Sequence, residues 1–130
     1  MSEAGVIATL LPVTTFFLGK TRYAPYNRMR KIGLDISLAT DYNPGSCHIQ
    51  SMSFILSLAC IYLHIPPLEA LKAATYTAAK SLGLHNKVGS LEIGKKADMI
   101  LWNLKEHVGI PYNIVNYPIR QVIKSGRLVN

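Results

Sequence analysis

The chain has 130 residues, of which 49% are apolar and 16% charged; this is enough hydrophobic material for one packed unit and excludes an intrinsically disordered chain. The apolar runs around Ile55 and Met99 fall short of the roughly 18 consecutive apolar residues that a membrane-crossing helix needs, and Met1 to Gly5 lack a secretory signal, so a cytoplasmic chain with no membrane partner is expected. Fourteen Lys and Arg against seven Asp and Glu give a net charge of +7, but the charges are scattered and their densest run, Arg28, Arg30 and Lys31, has no interleaved aromatic; a solvated helix face is expected, with no nucleic-acid partner.

Taken in order, Val6 to Leu11 is a short non-alternating apolar run closed by Pro12, which reads as a buried parallel strand. Tyr23 to Gly33 reads as a helix, with Pro25 in its first turn and Gly33 as its stop, and Asp35 to Thr40 reads as a second strand. Strand, helix and strand at this spacing predict a right-handed parallel βαβ unit. A loop of turn residues, Asp41-Tyr42-Asn43-Pro44-Gly45-Ser46, comes next.

A helix from about Ile49 to Leu63 carries Met52, Ile55, Leu56, Ala59 and Leu63 at helical spacing. A third helix, Pro67 to Leu82, carries Leu68, Leu71, Thr75, Ala78 and Leu82, and Gly83 stops it; both stripes are expected to be packing faces. Pro66 stands where a capping Ser or Thr would be favoured. After Gly83 the character changes: turns over Val88 to Asp98 lead into a strand, Met99 to Trp102, with Asp98 read as a turn acid and Trp102 as core. Two short strands, 121–123 and 127–129, flank Lys124-Ser125-Gly126 and predict a hairpin.

The two cysteines, Cys47 and Cys60, flank one predicted helix, which puts them about 20 Å apart and beyond disulfide reach. They are expected to be reduced thiols. Two parallel strands with three helices cannot cover both faces of a sheet, so the chain reads as the end of something larger.

The chemistry-bearing stretch is Asp41 to Ser46. A carboxylate directly after a buried parallel strand projects from the strand's C-terminal end, where α/β barrels place catalytic groups. Asp41 could there hold a metal or serve as a base towards a metal-bound water. Asn43, Gly45 and Ser46 offer an amide, a close backbone approach and a hydroxyl to a small polar ligand. Turn chemistry explains the same residues, with Asp41 as a turn cap, so spacing leaves both readings open.

Residues 39–46, Ala-Thr-Asp-Tyr-Asn-Pro-Gly-Ser, resemble the last barrel-strand motif of the imidazolonepropionase family, within the metal-dependent amidohydrolase superfamily. Ala8 to Pro12 resembles the preceding strand, and Glu69 to Gly83 the helix after the barrel. Val88 to Ile100 is similar to the superfamily's tail into a small β domain, and Val122 to Val129 to its closing hairpin. The resemblance implies an α/β fold made of the last two strand–helix units of a (β/α)8 TIM-type barrel (residues 1–83), followed by the C-terminal strands of a small composite β-sandwich domain (residues 84–130).

It also implies a C-terminal segment of an enzyme that hydrolyses 4-imidazolone-5-propanoate to N-formimidoyl-L-glutamate in histidine degradation. Asp41 is then the catalytic and metal-associated aspartate, with Asn43, Gly45 and Ser46 contacting substrate and zinc or iron as the cofactor of the complete enzyme. The family's other ligands are histidines on earlier strands. His48 and Cys47 stand where the family carries small residues; His64, His85 and His107 lack ligand spacing with Asp41 and are read as surface or capping groups, and His48 is the one histidine near enough to be considered as a ligand. This chain alone is therefore expected to hold no metal stably and to lack activity, its partner being the N-terminal part of the enzyme. The rival expectations are another amidohydrolase, of deaminase or dihydroorotase type, and a non-catalytic α/β module that self-associates through open strand edges.

Overall fold

The computed structural model describes residues 4–129; Met1, Ser2 and Glu3, on which the reading of the N-terminus partly rests, and Asn130 lie outside the described residues. The fold is α/β, with two small sheets and six helices among these residues. Strands β1 (Ile7–Leu10) and β2 (Asp35–Leu38) pair in parallel, with Ile7 opposite Asp35 and Leu10 opposite Leu38. Ile36, Ser37 and Leu38 are buried in succession, as expected of a strand covered on both faces. The polar Ser37 is satisfied across the ladder, its hydroxyl 2.8 Å from that of Thr9.

Between the strands lie two helices, not one. Pro12 does close β1, but it also opens α1 (Pro12–Phe17), where a missing N–H costs nothing at a first helical position. Pro12 and Val13 are buried, and Phe16 meets Phe54 edge to face with ring centroids 5.7 Å apart. Helix α2 (Tyr26–Lys31) is shorter than the expected Tyr23 to Gly33, and its last turn gathers Arg28, Arg30 and Lys31, all exposed, at the negative end of the helix.

Helix α3 (Met52–Tyr62) is the central packing element. Ser51 caps it, its hydroxyl accepting the Phe54 N–H at 3.2 Å, and Ile55, Leu56, Leu58 and Ala59 are buried. The expected third helix is two helices, α4 (Pro67–Ala74) and α5 (Tyr76–Ser81), broken at Thr75 with φ −120° and ψ −86°. The Thr75 hydroxyl donates to the Leu71 carbonyl at 2.7 Å, a side-chain bond that competes with the helix ladder.

The break also corrects the expected packing stripe. Leu71 packs against the core as expected, but Leu68 and Leu82 are 64% and 72% exposed, and the buried positions are Ala70, Ala73, Thr77 and Ala79. Small residues turn inward because α4 and α5 lie close against β2. Gly83, at φ +70°, ends α5: its N–H reaches Lys80 O at 3.0 Å and that of Leu84 reaches Ala79 O at 2.8 Å, the paired bonds of a Schellman stop.

The second sheet orders β3 (Met99–Trp102), β4 (Ile119–Lys124) and β5 (Arg127–Leu128), all antiparallel. Ser125 and Gly126, at φ 50° and 79°, make the tight hairpin turn that the sequence anticipates. Asp98 ties that turn down, accepting the Ser125 N–H at 2.8 Å and Lys124 Nζ at 2.7 Å. A short helix absent from the sequence reading, α6 (Gly109–Tyr112), packs on α3, buries Ile110 in the main core and receives the Ser57 hydroxyl on Pro111 O at 2.6 Å. Trp102 is half-buried against the same core.

Candidate active site

Asp41 follows β2 by three residues, at the C-terminal end of the parallel pair. It is half-buried and holds a left-handed backbone, φ 52°, which Asp tolerates better than most side chains. Its carboxylate Oδ2 accepts one hydrogen bond, from the Thr14 hydroxyl of α1 at 2.9 Å. Its carbonyl accepts Asn43 Nδ2 at 2.6 Å. Both ends of the residue are thus fixed by the chain, and the bond from Thr14 spans 27 positions of sequence.

The loop beyond is held by one side chain. Asn43 Oδ1 accepts the N–H groups of Gly45 at 2.9 Å and Ser46 at 2.8 Å, while Nδ2 donates to the Ser46 hydroxyl at 3.0 Å. The Asn43 N–H closes the loop on Cys47 O at 2.9 Å. Asn43 and Ser46 are half-buried and Gly45 is exposed, although its N–H is taken by Asn43 Oδ1. The four residues singled out in the sequence therefore stand together, and Asn43 has its amide committed to the loop's own shape.

His48 lies beside this loop. Its ring is stacked near Phe17 (centroids 6.4 Å apart, planes 14° apart) and tilted towards Tyr42 (6.1 Å), with Nε2 3.0 Å from Pro44 O. Cys47 is buried below, its thiol 3.4 Å from Thr40 O, and neither cysteine is in a disulfide. His64 and His107 are exposed. His85 departs from the expected surface or capping role: it is half-buried, edge-on to Tyr76, with a buried Nδ1 that has no hydrogen-bond partner.

Among the described residues no group of three His, Cys, Asp or Glu side chains is placed to hold a metal ion. Asp41 is one carboxylate ligand, whereas a catalytic zinc takes three protein ligands, so the donor set of the described residues does not by itself fit such an ion. A groove of about 590 Å³ between α5 and β3, lined by Ala78, Leu82, Leu91 and Ile100, contains no residue of the Asp41 to Ser46 loop. Among the described residues no helix is long and apolar enough to cross a membrane.

Thr14 is the contact that the sequence reading misses. Pro12 is taken there as a strand terminator; its second meaning, first residue of a helix, is the signal for α1, but the contact of Thr14 with Asp41, 27 positions away, has no local signal.

The chain has relatives of known name and of known structure. The imidazolonepropionase of Symbiobacterium thermophilum is 44% identical over 129 residues, which cover 99% of this chain and 30% of that protein. That of Shewanella oneidensis is 41% identical over 130 residues, covering 100% and 32%. The chain thus spans about a third of the length of the curated relatives it matches. Among solved structures, E. coli guanine deaminase matches with a TM-score of 0.80 at 20% identity, over 99% of this chain and 35% of that one. An adenosine deaminase from Xanthomonas campestris with bound zinc matches at 0.84 and 21% identity, over 97% and 32%. At these identities the likeness is one of fold. The sequence profile of the amidohydrolase family matches residues 1–129, from before β1 through the closing hairpin, and the chain belongs to that family.

Proposed function

We propose that this chain is the Asp41-bearing, C-terminal part of an imidazolonepropionase, contributing the last two strand–helix units of a (β/α)8 barrel and the closing strands of a small β-sandwich. The reaction is the hydrolytic opening of 4-imidazolone-5-propanoate to N-formimidoyl-L-glutamate. The observation that carries the reading is the position of Asp41, fixed after a buried parallel strand in a chain 44% identical to an imidazolonepropionase.

In that role water adds to the ring amide carbon, the C–N bond breaks, and the leaving nitrogen takes up a proton. Asp41 keeps Oδ2 on Thr14 and offers Oδ1 to take the proton from water and pass it to the nitrogen. The exposed Gly45 backbone and the Ser46 hydroxyl border the space where a small polar substrate would lie, in a loop shaped by Asn43. The family's zinc or iron would need ligands from the rest of such an enzyme, because Asp41 brings one carboxylate and, among the described residues, no group of three ligands stands together. We accordingly read this chain alone as inactive, with the remaining two thirds of the enzyme as its partner.

The test is a graft. The segment of the Symbiobacterium thermophilum enzyme that matches is replaced by this chain, and ring opening is followed. Turnover in the graft, with none from this chain alone, supports the reading; a folded graft without turnover contradicts it.

A second reading has its own observation. The parallel sheet has two strands only among the described residues, with both outer edges unpaired, and Leu68, Leu82, Leu91 and Ile93 are exposed. A discrete oligomer of this chain in light scattering would favour a self-associating module.

A further inference from the structure

We infer that Thr14 is a positioning residue for Asp41, selecting which carboxylate oxygen faces the substrate. The inference rests on the proposed role of Asp41 and adds to it a residue on a different element. Three observations converge on it. The Thr14 hydroxyl is the one hydrogen-bond donor to the Asp41 carboxylate among the described residues, at 2.9 Å. The bond is directional: it engages Oδ2 and, among the described residues, leaves Oδ1 without a protein partner. The backbone beneath is held separately, by Asn43 Nδ2 on the Asp41 carbonyl at 2.6 Å, so the side-chain torsion is the freedom that remains for Thr14 to remove.

Helix α1 is built to hold that hydroxyl still. Its first two residues, Pro12 and Val13, are buried, and Val13 is fully enclosed in the core. Two residues after Thr14, Phe16 packs edge-on against Phe54 of α3. Thr14 sits between these anchors, is itself half-buried, and has a β-branched side chain with few rotamers. A donor on a rigid helix restrains an ionised acceptor more effectively than one on a loop, and a hydrogen bond to a charged group is among the stronger ones.

The test has two arms. In this chain, the Hα–Hβ couplings of Asp41 by NMR should report one side-chain rotamer, retained in Thr14→Ser and averaged in Thr14→Val. In the active graft, Thr14→Val should lower kcat by about 10- to 100-fold with KM little changed, and Thr14→Ser should recover most of the loss. A Val variant that keeps a single Asp41 rotamer, or keeps kcat, overturns the inference. Averaged couplings in the unaltered chain overturn it as well, even if the Val variant does not fold. An inactive graft with an ordered Asp41 counts against the proposed activity and supports the positioning by Thr14.

Discussion

Asn43 and Ser46 hold each other at three points: Asn43 Oδ1 takes the Ser46 N–H at 2.8 Å and lies 3.2 Å from its hydroxyl, which in turn is 3.0 Å from Asn43 Nδ2. The loop's shape therefore depends on an amide with both its acceptor and its donor. Asn43→Ala should release the Gly45 and Ser46 N–H groups to solvent and lower stability by about 1 kcal/mol. Amide hydrogen exchange checks this: protection at Gly45 and Ser46 is lost in Ala and kept in Asn43→Asp, which retains the acceptor. Unchanged protection in the Ala variant would show that the turn shapes itself.

Lys80 Nζ lies 2.6 Å from Asp35 Oδ2, joining α5 to the start of β2. The hydrogen bond from Lys80 holds the Asp35 carboxyl below its usual range, and the same bond holds the Lys80 ammonium above its own. A depressed acid stabilises above its unfolded pKa and loses that contribution as pH falls through the folded value. A raised base stabilises below its unfolded pKa and loses it as pH rises through the folded one. The pair therefore works between about pH 4 and pH 10. Both side chains are more than 40% exposed, so the effect is small and screened by salt. Urea midpoints for Lys80→Met should fall slightly below those of the unaltered chain at neutral pH and converge with them in strong acid or 1 M salt. A gap that persists in acid would assign the loss to packing.

The two thiols should differ in reactivity. Cys47 is fully buried with its Sγ on Thr40 O, whereas Cys60 is half-buried and its thiol is pushed up by desolvation. A thiol-reactive dye should label Cys60 slowly in the folded chain and Cys47 only on unfolding. Rapid labelling of both would mean that the loop beneath Asp41 opens readily.

Gly89 approaches α5 too closely for any side chain. It lies at φ +96°, and an added Cβ would stand 2.7 Å from Ala79 Cβ and 3.0 Å from Thr75 O. Gly89→Ala should cost about 2–4 kcal/mol, combining overpacking with backbone strain. Gly94→Ala, where the φ of +89° is similar but nothing lies within 4 Å, isolates the strain and should cost about 1 kcal/mol. Equal losses in the two variants, measured by urea unfolding, would mean that the α5 contact contributes nothing.

Several elements were legible in the sequence for physical reasons. The first strand of the parallel pair is legible in the non-alternating apolar run from Val6, α3 in the spacing of Ile55, Leu56 and Ala59, and the hairpin in Ser125-Gly126. The chemistry-bearing loop was visible as a carboxylate followed by turn residues. Two short helices were not legible, because α1 and α6 span one or two turns and carry too few residues for a periodicity. The break at Thr75 is not legible, because a side-chain bond to Leu71 O leaves no mark on the hydrophobic pattern. The stripe on α4 and α5 is only partly legible: Leu71 packs against the core as expected, whereas Leu68 and Leu82 turn outward and Ala70, Ala73, Thr77 and Ala79 are buried. Thr14 could not be linked to Asp41 by any local spacing, since their contact is purely tertiary.

The most direct measurement of the central claim is turnover of 4-imidazolone-5-propanoate by the graft carrying Asp41→Asn. The Asn side chain keeps an oxygen for Thr14 and removes the capacity to accept a proton. A folded graft that is active with Asp41 and slower by about 10²- to 10⁴-fold with Asn is the predicted result. Undiminished turnover with Asn would contradict the account, by showing that Asp41 does not carry the chemistry.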